Sequence, residues 1–231
     1  MKAAAVLVAA GRSERMGGVE GSKVYACVAG RALLAHALLA FDRHPDVAQV
    51  VLVVAAGDEP RLRREVLERF PPQTPFEITS GGTTRQDSVR RGLACVEQDV
   101  PLVLVHDGAR PFVSQSVIER VLAAAKAWGA ALPVVALHDS VKRVDATGQV
   151  VESPDRAQLF RAQTPQGFRL DVLRRSLDEA TKAGRTFSDD AAAVQHYAGL
   201  HAKTVPGDPS NFKVTTPFDL TLATCLHSHL I

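Results

Sequence analysis

The sequence predicts an α/β fold built on a mostly parallel, twisted sheet flanked by helices. Five short apolar runs, three of them rich in valine and leucine, alternate with longer segments whose apolar residues recur at helical spacing. Continuous apolar runs are typical of parallel strands buried on both faces, and their alternation with helices is typical of βαβ units. We therefore predict strands at residues 3–10, 49–56, 76–79, 101–107 and 130–137.

Helices are predicted between and after these strands. The four intervening segments carry apolar residues three and four positions apart, and Ser114 is placed to cap the last of them. These helices cover residues 32–41, 59–70, 85–96 and 114–128. Further helices are predicted at 171–184, at 189–199 and after Pro217, with a strand near 200–207.

Residues 138–161 break this pattern. The segment has short alternating stretches, an Ala-Thr-Gly turn and little apolar surface, so we predict an arm that projects from the core. No internal repeat or linker divides the chain. Residues 1–231 are therefore predicted to form one domain that carries this arm.

The composition argues against several classes of function. The 231 residues are 46% hydrophobic and 23% charged, which is typical of a compact globular protein, and the formal net charge is only +2. So balanced a charge gives no sign of a nucleic-acid or anionic-membrane partner, and no apolar run approaches a membrane span of about 20 residues.

The start of the chain and its cysteines bear on location. The apolar start imitates a short signal peptide, but charged residues directly after Gly11 favour a buried strand that leads into a polar loop. The three cysteines are widely spaced and form no zinc or dithiol motif. We predict a cytoplasmic protein.

The loop after the first strand has the composition of a phosphate-binding loop. Glycine amides can donate hydrogen bonds where side chains would collide, and basic groups neutralise an anion. The GxGxxG fingerprint is absent, and the P-loop motif fails because Ser22 separates the last glycine from its lysine. A glycine-rich surface loop without a ligand is the alternative at this point. The residues concerned are Gly11, Gly17, Gly18 and Gly21 with Arg12, Arg15 and Lys23.

Three other loops carry residues suited to a ligand. Ligands of open parallel sheets bind outside the carboxyl ends of the strands. Asp107 stands at such an end in VHDGARP (105–111), where a carboxylate is suited to Mg²⁺, the alternative being a structural turn cap. SGGTTRQDSV (80–89) offers free amides at a helix start, and Lys213 lies in NFKVTTPFDL (211–220).

Together these segments resemble one family, the 2-C-methyl-D-erythritol 4-phosphate cytidylyltransferases of the non-mevalonate route to isoprenoids. The resemblance runs in order from about Ala3 to Leu222. Its motifs are AAGRSERMG with Lys23, SGGTTRQDSV, VHDGARPFV, DSVKR, DRAQLFRAQTPQGF, SDDAAAV and NFKVTTPFDL. It implies a nucleotidyltransferase fold and transfer of a cytidylyl group from CTP to 2-C-methyl-D-erythritol 4-phosphate, with release of pyrophosphate.

The resemblance also implies roles for individual residues. The catalytic residues would be Arg15, Lys23 and Lys213, which grip the triphosphate. The base and ribose of CTP would be read by Ala9, Ala10, Gly11, Gly82 and Ser88. The second substrate would be bound by Asp107, Arg110, Ser140, Arg156, Thr164 and Ser188, and Asp107 would also hold the cofactor Mg²⁺.

The arm has a role of its own in the resemblance. In this family the arm embraces a second subunit, and Ser140 and Arg156 lie on it, so a homodimer is implied in which each arm serves the neighbouring site. Arg156 would hold the phosphate of the second substrate. An arm with little apolar surface needs such a partner to remain ordered.

Three alternatives stay open from the residues alone. A related cytidylyltransferase acting on ribitol 5-phosphate would share the nucleotide half and differ in the alcohol pocket. A non-catalytic nucleotide-binding module would keep the fold, although it has no need of Lys23, Asp107, Arg156 and Lys213 together. A dinucleotide-dependent oxidoreductase has the same α/β alternation, but the missing GxGxxG argues against it.

Overall fold

The computed structural model describes residues 2–11 and 22–229. The strands of these residues are β1 (Ala3–Ala9), β2 (Cys27–Val28), β3 (Arg31–Ala32), β4 (Val47–Val54), β5 (Phe76–Ser80), β6 (Leu102–Asp107), β7 (Ala130–Ala136), β8 (Arg143–Val144), β9 (Val150–Glu152), β10 (Phe160–Ala162), β11 (Gln166–Arg169) and β12 (Lys203–Pro206). The helices are α1 (Leu33–Asp42), α2 (Glu59–Leu62), α3 (Arg85–Ala94), α4 (Gln115–Trp128), α5 (Leu170–Lys182), α6 (Asp190–Ala198) and α7 (Pro217–His229).

The central sheet is mixed but mostly parallel. Its strand order is β10, β7, β11, β6, β1, β4 and β5, and β12 pairs in addition with β7. Strand β1 lies parallel to both β4 and β6, β5 is parallel to β4, and β12 is parallel to β7. The predicted α/β fold is thus confirmed. The antiparallel strands β10 and β11 were not predicted, because they are short and carry no continuous apolar run.

Both faces of the sheet are buried, as the apolar runs predicted. Side chains alternate between the faces along a strand, so Leu7 joins the cluster under α1 and α4, whereas Val6 joins the cluster under α3 and α5. Helix α3 lies directly on the sheet at Gly92, where an added Cβ would come within 2.6 Å of Val6 and 2.7 Å of Val53. This close approach fixes the position of α3, which borders the functional site described below.

Polar side chains cap three of the helices at their N-termini. Thr84, Ser114 and Asp189 each accept a hydrogen bond from the backbone amide three residues later, at 3.0, 3.4 and 2.9 Å. The prediction of a cap at Ser114 is confirmed.

The helix predicted over 59–70 is the short α2, followed by a π-helical turn at Arg63–Leu67. No helix within residues 2–11 and 22–229 is long and apolar enough to cross a membrane.

The segment that we predicted to form an arm is almost entirely exposed. It consists of residues 138–159 and contains the small two-stranded sheet of β8 and β9, whose turn ends at Gly148 with a φ of 85°. One correction concerns its boundary: Phe160 and Arg161 belong to β10 and pair with β7 in the central sheet. The arm therefore ends before Phe160.

Candidate active site

A cleft of about 830 Å³ opens at the carboxyl ends of β1, β4, β5 and β6. This is the edge where open parallel sheets bind ligands. The residues predicted to read CTP line this cleft: Ala9, Ala10, Gly11, Gly82 and Ser88. It is also lined by three predicted charged residues, Lys23, Asp107 and Lys213. A smaller cleft of about 540 Å³ between α1 and α4 is lined by none of the predicted residues.

One wall of the cleft is the loop between β5 and α3. An added Cβ at Gly81 would collide with Ala10 and come within 2.8 Å of Ser88 Oγ, so a larger residue cannot replace this glycine without moving the loop. The amide of Gly82 donates to Ser88 Oγ (3.1 Å), and the Ser88 hydroxyl donates to the carbonyl of Thr84 (2.9 Å). Ser88 is buried. Its hydroxyl therefore holds the loop in place at the floor of the cleft.

The cleft is also lined by part of a cluster of charges around Asp107. Its Oδ1 pairs with Arg85 Nε at 3.2 Å, and its Oδ2 pairs with Lys213 Nζ at 3.0 Å and Arg110 Nε at 3.5 Å. Burial alone would raise the pKa of Asp107, but the charges of Arg85, Lys213 and Arg110 outweigh it and hold that pKa well below its usual range. The carboxylate is therefore ionised and orients three cations at the edge of the cleft.

Arg85 is shared between two carboxylates. Its Nη1 donates to Asp190 Oδ2 at 2.9 Å, and the side chain of Asp190 is buried. Together the cluster holds three cationic side chains against two carboxylates. The excess of positive charge faces the cleft through Arg85 and Lys213, both of which line it.

A chain of buried hydrogen bonds fixes the backbone of Asp107. Its amide donates to Thr164 Oγ1 (3.1 Å), and the Thr164 hydroxyl lies 3.0 Å from His106 Nδ1. The carbonyl of Arg110 can only accept, so the neutral His106 ring carries its proton on Nε2 and donates to that carbonyl (3.0 Å), and Nδ1 accepts from the Thr164 hydroxyl. Burial lowers the pKa of His106 to about 4, so the ring is neutral at pH 7. Thr164, predicted to bind substrate, is buried, and its hydroxyl serves to position Asp107 and Arg110.

The segment that carries Lys213 is anchored to the same network. The Asn211 side chain donates from Nδ2 to the carbonyl of Thr164 (2.7 Å), and the backbone carbonyl of Asn211 accepts from Arg110 Nη1 (2.8 Å). Lys213 therefore pairs with Asp107 from a loop that is held in place at Asn211, two residues before it.

The other residues predicted for the second substrate lie apart from this cleft. Ser140 and Arg156 are exposed on the arm, where Arg156 Nη1 donates to the carbonyl of His138. Ser188 is exposed in the irregular segment before α6. Of the described residues that line the cleft, none is Ser140, Arg156 or Ser188. Within one chain, Ser140 and Arg156 do not line the cleft with Asp107, and the segment of Ser188 is joined to Asp107 through the pairing of Arg85 with Asp190.

The glycine-rich loop is described only at its two ends. Lys23 begins a 3₁₀ turn, Lys23–Tyr25, that lines the cleft, and the Ser22 hydroxyl donates to the carbonyl of Gly11 at 3.3 Å. The predicted catalytic residue Arg15 lies outside the described residues.

Comparison with known proteins gives the family. The model of the family described as "IspD: 2-C-methyl-D-erythritol 4-phosphate cytidylyltransferase" matches residues 3–228, nearly the whole chain. The chain belongs to this family. The resemblance drawn from the motifs is thereby confirmed.

Relatives within the IspD family cover the chain at both sequence and structure level. A 2-C-methyl-D-erythritol 4-phosphate cytidylyltransferase of Alkaliphilus metalliredigens is 38% identical over 96% of this chain and 91% of its own. The crystal structure of the enzyme of that name from Thermus thermophilus is 36% identical, with a TM-score of 0.81 over 99% of this chain and 100% of that one. A bifunctional enzyme IspD/IspF of Rhodopseudomonas palustris is 46% identical over 95% of this chain, and the chain spans 54% of its length.

The surroundings of Asp107 in this IspD family member do not fit a protein-held Mg²⁺. Both carboxylate oxygens already pair with cations, and a dication there would face three positive side chains. Moreover, within the described part of the chain no group of three or more His, Cys, Asp or Glu side chains is placed to hold a metal ion. We derive no step from a metal bound to Asp107.

Three residues of the site were not predicted from the sequence. Arg85 carried a signal, since it is a basic residue at a helix start beside two glycines in SGGTTRQDSV. Gln86 and Asp190 carried none, because their roles depend on which loops pack against α3.

Proposed function

We propose that this protein transfers the cytidylyl group of CTP to 2-C-methyl-D-erythritol 4-phosphate. An oxygen of the polyol phosphate attacks the α-phosphorus of CTP, the bond from that phosphorus to the bridging oxygen breaks, and pyrophosphate leaves with that oxygen. The products are 4-diphosphocytidyl-2-C-methyl-D-erythritol and pyrophosphate. The observation that carries the proposal is the meeting of the glycine loop with the Asp107 cluster in one cleft.

The charges of the cleft suit this reaction. Two polyanions must come together before any bond forms, and catalysis of phosphoryl transfer is mainly positioning and electrostatic stabilisation. Asp107 fixes the Nζ of Lys213 at 3.0 Å, so this ammonium group is already oriented before substrate binds. A preorganised cation stabilises the charge that develops on the phosphates without reorganisation cost. Lys23 on the opposite side of the cleft would contact the same phosphates.

The other side of the cleft suits a nucleoside. The backbone of Ala9, Ala10 and Gly11 lines the cleft together with the loop at Gly81 and Gly82, and the missing side chain of Gly81 lets that loop pack closely against Ala10 and Ser88. Backbone groups held this rigidly discriminate between bases by hydrogen bonds to their edges, because a mismatched base leaves a buried polar group unpaired.

Mg²⁺ is not needed as a resident of the protein in this proposal. Triphosphates bind Mg²⁺ through their own oxygens, and we expect the ion to enter with CTP as part of the nucleotide substrate. The cations around Asp107 then contact phosphate oxygens that Mg²⁺ leaves free.

We also infer that the active species is a homodimer in a cytoplasmic setting. The arm is exposed along its length, and its Val144, Val150 and Val151 are more than half exposed. An exposed apolar strip of this kind is typical of a surface that a partner covers. Ser140 and Arg156, which lie on the arm, would then complete the cleft of the second subunit.

Pyrophosphate release tests the proposed function. The protein is incubated with CTP and Mg²⁺, and methylerythritol 4-phosphate and ribitol 5-phosphate are supplied in parallel reactions. We expect release only with the former. Release only with ribitol 5-phosphate would leave the nucleotide site standing and overturn the assigned second substrate. Release with neither would overturn the proposed activity.

A further inference from the structure

The side chains of α3 contact two loops near the start of the helix. One is the nucleotide loop at residues 81–84, and the other is the irregular segment at residues 185–189 that carries Ser188. Both loops are joined to α3 by side-chain hydrogen bonds rather than by apolar contacts alone. The helix itself is fixed on the sheet at Gly92, so it can serve as a common reference for the two loops.

The nucleotide loop is held to α3 at both of its glycines. Ser88 Oγ accepts from the amide of Gly82 (3.1 Å), and Arg91 Nη1 donates to the carbonyl of Gly81 (3.0 Å). These contacts leave the loop little freedom relative to the helix.

The Ser188 segment is held by the side chain of Gln86. Its Nε2 donates to the carbonyl of Arg185 (3.0 Å), and its Oε1 accepts from the amide of Phe187 (3.2 Å). Both ends of the amide are used, Gln86 is buried, and Ser188 itself is exposed one residue further on. The contacts go to backbone atoms, so they fix the path of the segment and not its side chains.

Arg85 holds the other end of the same segment. Its Nη1 donates to Asp190 Oδ2 (2.9 Å), and Asp190 is the first residue of α6. Because Arg85 also pairs with Asp107, the segment, the helix and the charged wall of the cleft form one connected network. Asp190 is 1% exposed, and a buried carboxylate depends strongly on such a cation.

We propose that Gln86 is a positioning residue that, together with the Arg85–Asp190 pair, holds the Ser188 segment in register with the nucleotide loop, and that Gln86 thereby determines affinity for the polyol phosphate rather than for CTP. The proposal rests on the proposed function, in which Ser188 binds the polyol phosphate. Gln86 does not line the cleft, which separates its effect from direct contact with the nucleotide.

The chain contains a matched control for Gln86. Gln49 is also buried and uses both ends of its amide in the same way: Nε2 donates to the carbonyl of Cys95 (2.9 Å), and Oε1 accepts from the amide of Glu97 (3.0 Å). Its contacts lie at the far end of α3, away from the cleft. Methionine at either position removes the same two hydrogen bonds at similar volume.

The test measures both KM values for Gln86→Met and Gln49→Met. We expect Gln86→Met to raise the KM for methylerythritol 4-phosphate about tenfold, the effect of about one lost hydrogen bond, and to leave the KM for CTP within about twofold. Both variants lose the same two hydrogen bonds, so we expect them to lower the melting temperature by similar amounts. Gln49→Met is expected to change neither KM. If Gln86→Met does not fold, Gln86→Glu replaces it in the test. Glutamate retains the acceptor for the amide of Phe187 and loses the donor to the carbonyl of Arg185.

Hydrogen exchange provides a second readout that does not depend on turnover. Peptides covering residues 185–190 are expected to exchange faster in Gln86→Met than in the wild type, and at the wild-type rate in Gln49→Met. Equal increases in both KM values, an unchanged KM for the polyol phosphate, or unchanged exchange would each overturn the positioning role. A wild-type protein without turnover would overturn the proposed function itself, and the positioning role would fall with it.

Discussion

The loops around Asp107 and the arm at residues 138–159 are held in place in very different ways. The Asp107 loop is fixed from within the chain by the buried side chains of Thr164 and His106 and by three partly buried cations. The arm has exposed side chains almost throughout and belongs to none of the hydrophobic clusters of the described residues. A single chain can therefore preorganise the nucleotide half of the site, whereas the part of the pocket carried by the arm depends on what the arm contacts.

The largest expected effect concerns the preorganised half. Lys213→Ala should lower kcat by roughly 10²- to 10³-fold, the scale seen when one preorganised transition-state donor is removed. Steady-state kinetics with saturating CTP and methylerythritol 4-phosphate would measure it.

The control for this variant is Lys203→Ala. Lys203 is an exposed lysine of β12 that contacts Trp128 rather than the cleft. The Lys203→Ala variant should leave kcat unchanged. Normal turnover of a folded Lys213→Ala protein would mean that Lys213 is only a partner of Asp107.

The next effect concerns the arm. Arg156→Ala should raise the KM for methylerythritol 4-phosphate by about 10- to 100-fold, since it removes a charged hydrogen-bond donor from a phosphate. The KM for CTP should change little, because Arg156 is not among the residues lining the nucleotide cleft. A comparable increase in both KM values would contradict the division of the site between cleft and arm.

A smaller effect is expected on the free energy of unfolding when the pH is lowered, because His106 belongs to the hydrogen-bond chain that fixes Asp107. His106 has a native pKa of about 4 against an ordinary value of 6.5. Its contribution to stability is therefore fully present above pH 6.5 and is lost as the pH falls towards 4, because the unfolded chain takes up the proton first. Between pH 7 and pH 5 this amounts to about 2 kcal/mol.

Urea unfolding of the wild type and of His106→Gln at both pH values isolates this contribution. The variant lacks the titrating ring, so the difference in unfolding free energy between the two proteins should shrink by about 2 kcal/mol on going to pH 5. A difference that stays constant would show that His106 is not buried as a neutral ring.

The smallest effect compares two helix caps. Thr84→Ala and Ser114→Ala each remove the side-chain acceptor for one amide and should lower the unfolding free energy by about 1 kcal/mol. Only Thr84 borders the nucleotide cleft, so only Thr84→Ala should also raise the KM for CTP. An increase in the KM for CTP with Ser114→Ala as well would show that a general loss of stability, and not the position of Thr84 at the cleft, causes the effect.

The sequence was sufficient to predict the features that repeat along it. The parallel strands β1, β4 and β6 could be predicted because each contains a continuous apolar run, and Asp107 because it follows such a run. The strands β10 and β11 could not be predicted, since their pairing with β7 and β6 depends on contacts distant in sequence. The boundary of the arm was misplaced for the same reason.

The candidate site was predictable in part. Glycines and charged residues at strand ends pointed to the cleft, and Gly82, Asp107 and Lys213 do line it. The roles of Gln86 and Asp190 could not be predicted from the sequence, because they depend on partners distant in sequence: the backbone of Arg185 and Phe187 for Gln86, and the side chain of Arg85 for Asp190. Gln49 and Gln86 each donate to one backbone carbonyl and accept from one backbone amide, yet only Gln86 holds a loop beside the site.

The central claim is that one chain preorganises the nucleotide half and a second chain supplies the arm. Mixing Lys23→Ala and Arg156→Ala subunits by co-expression tests it most directly. In a heterodimer, one site combines the intact nucleotide half of one subunit with the intact arm of the other. At a methylerythritol 4-phosphate concentration well below the KM of the Arg156→Ala variant, random pairing then predicts recovery of about a quarter of wild-type turnover. Activity no greater than that of the two parent variants would contradict the claim and would place each arm at its own cleft.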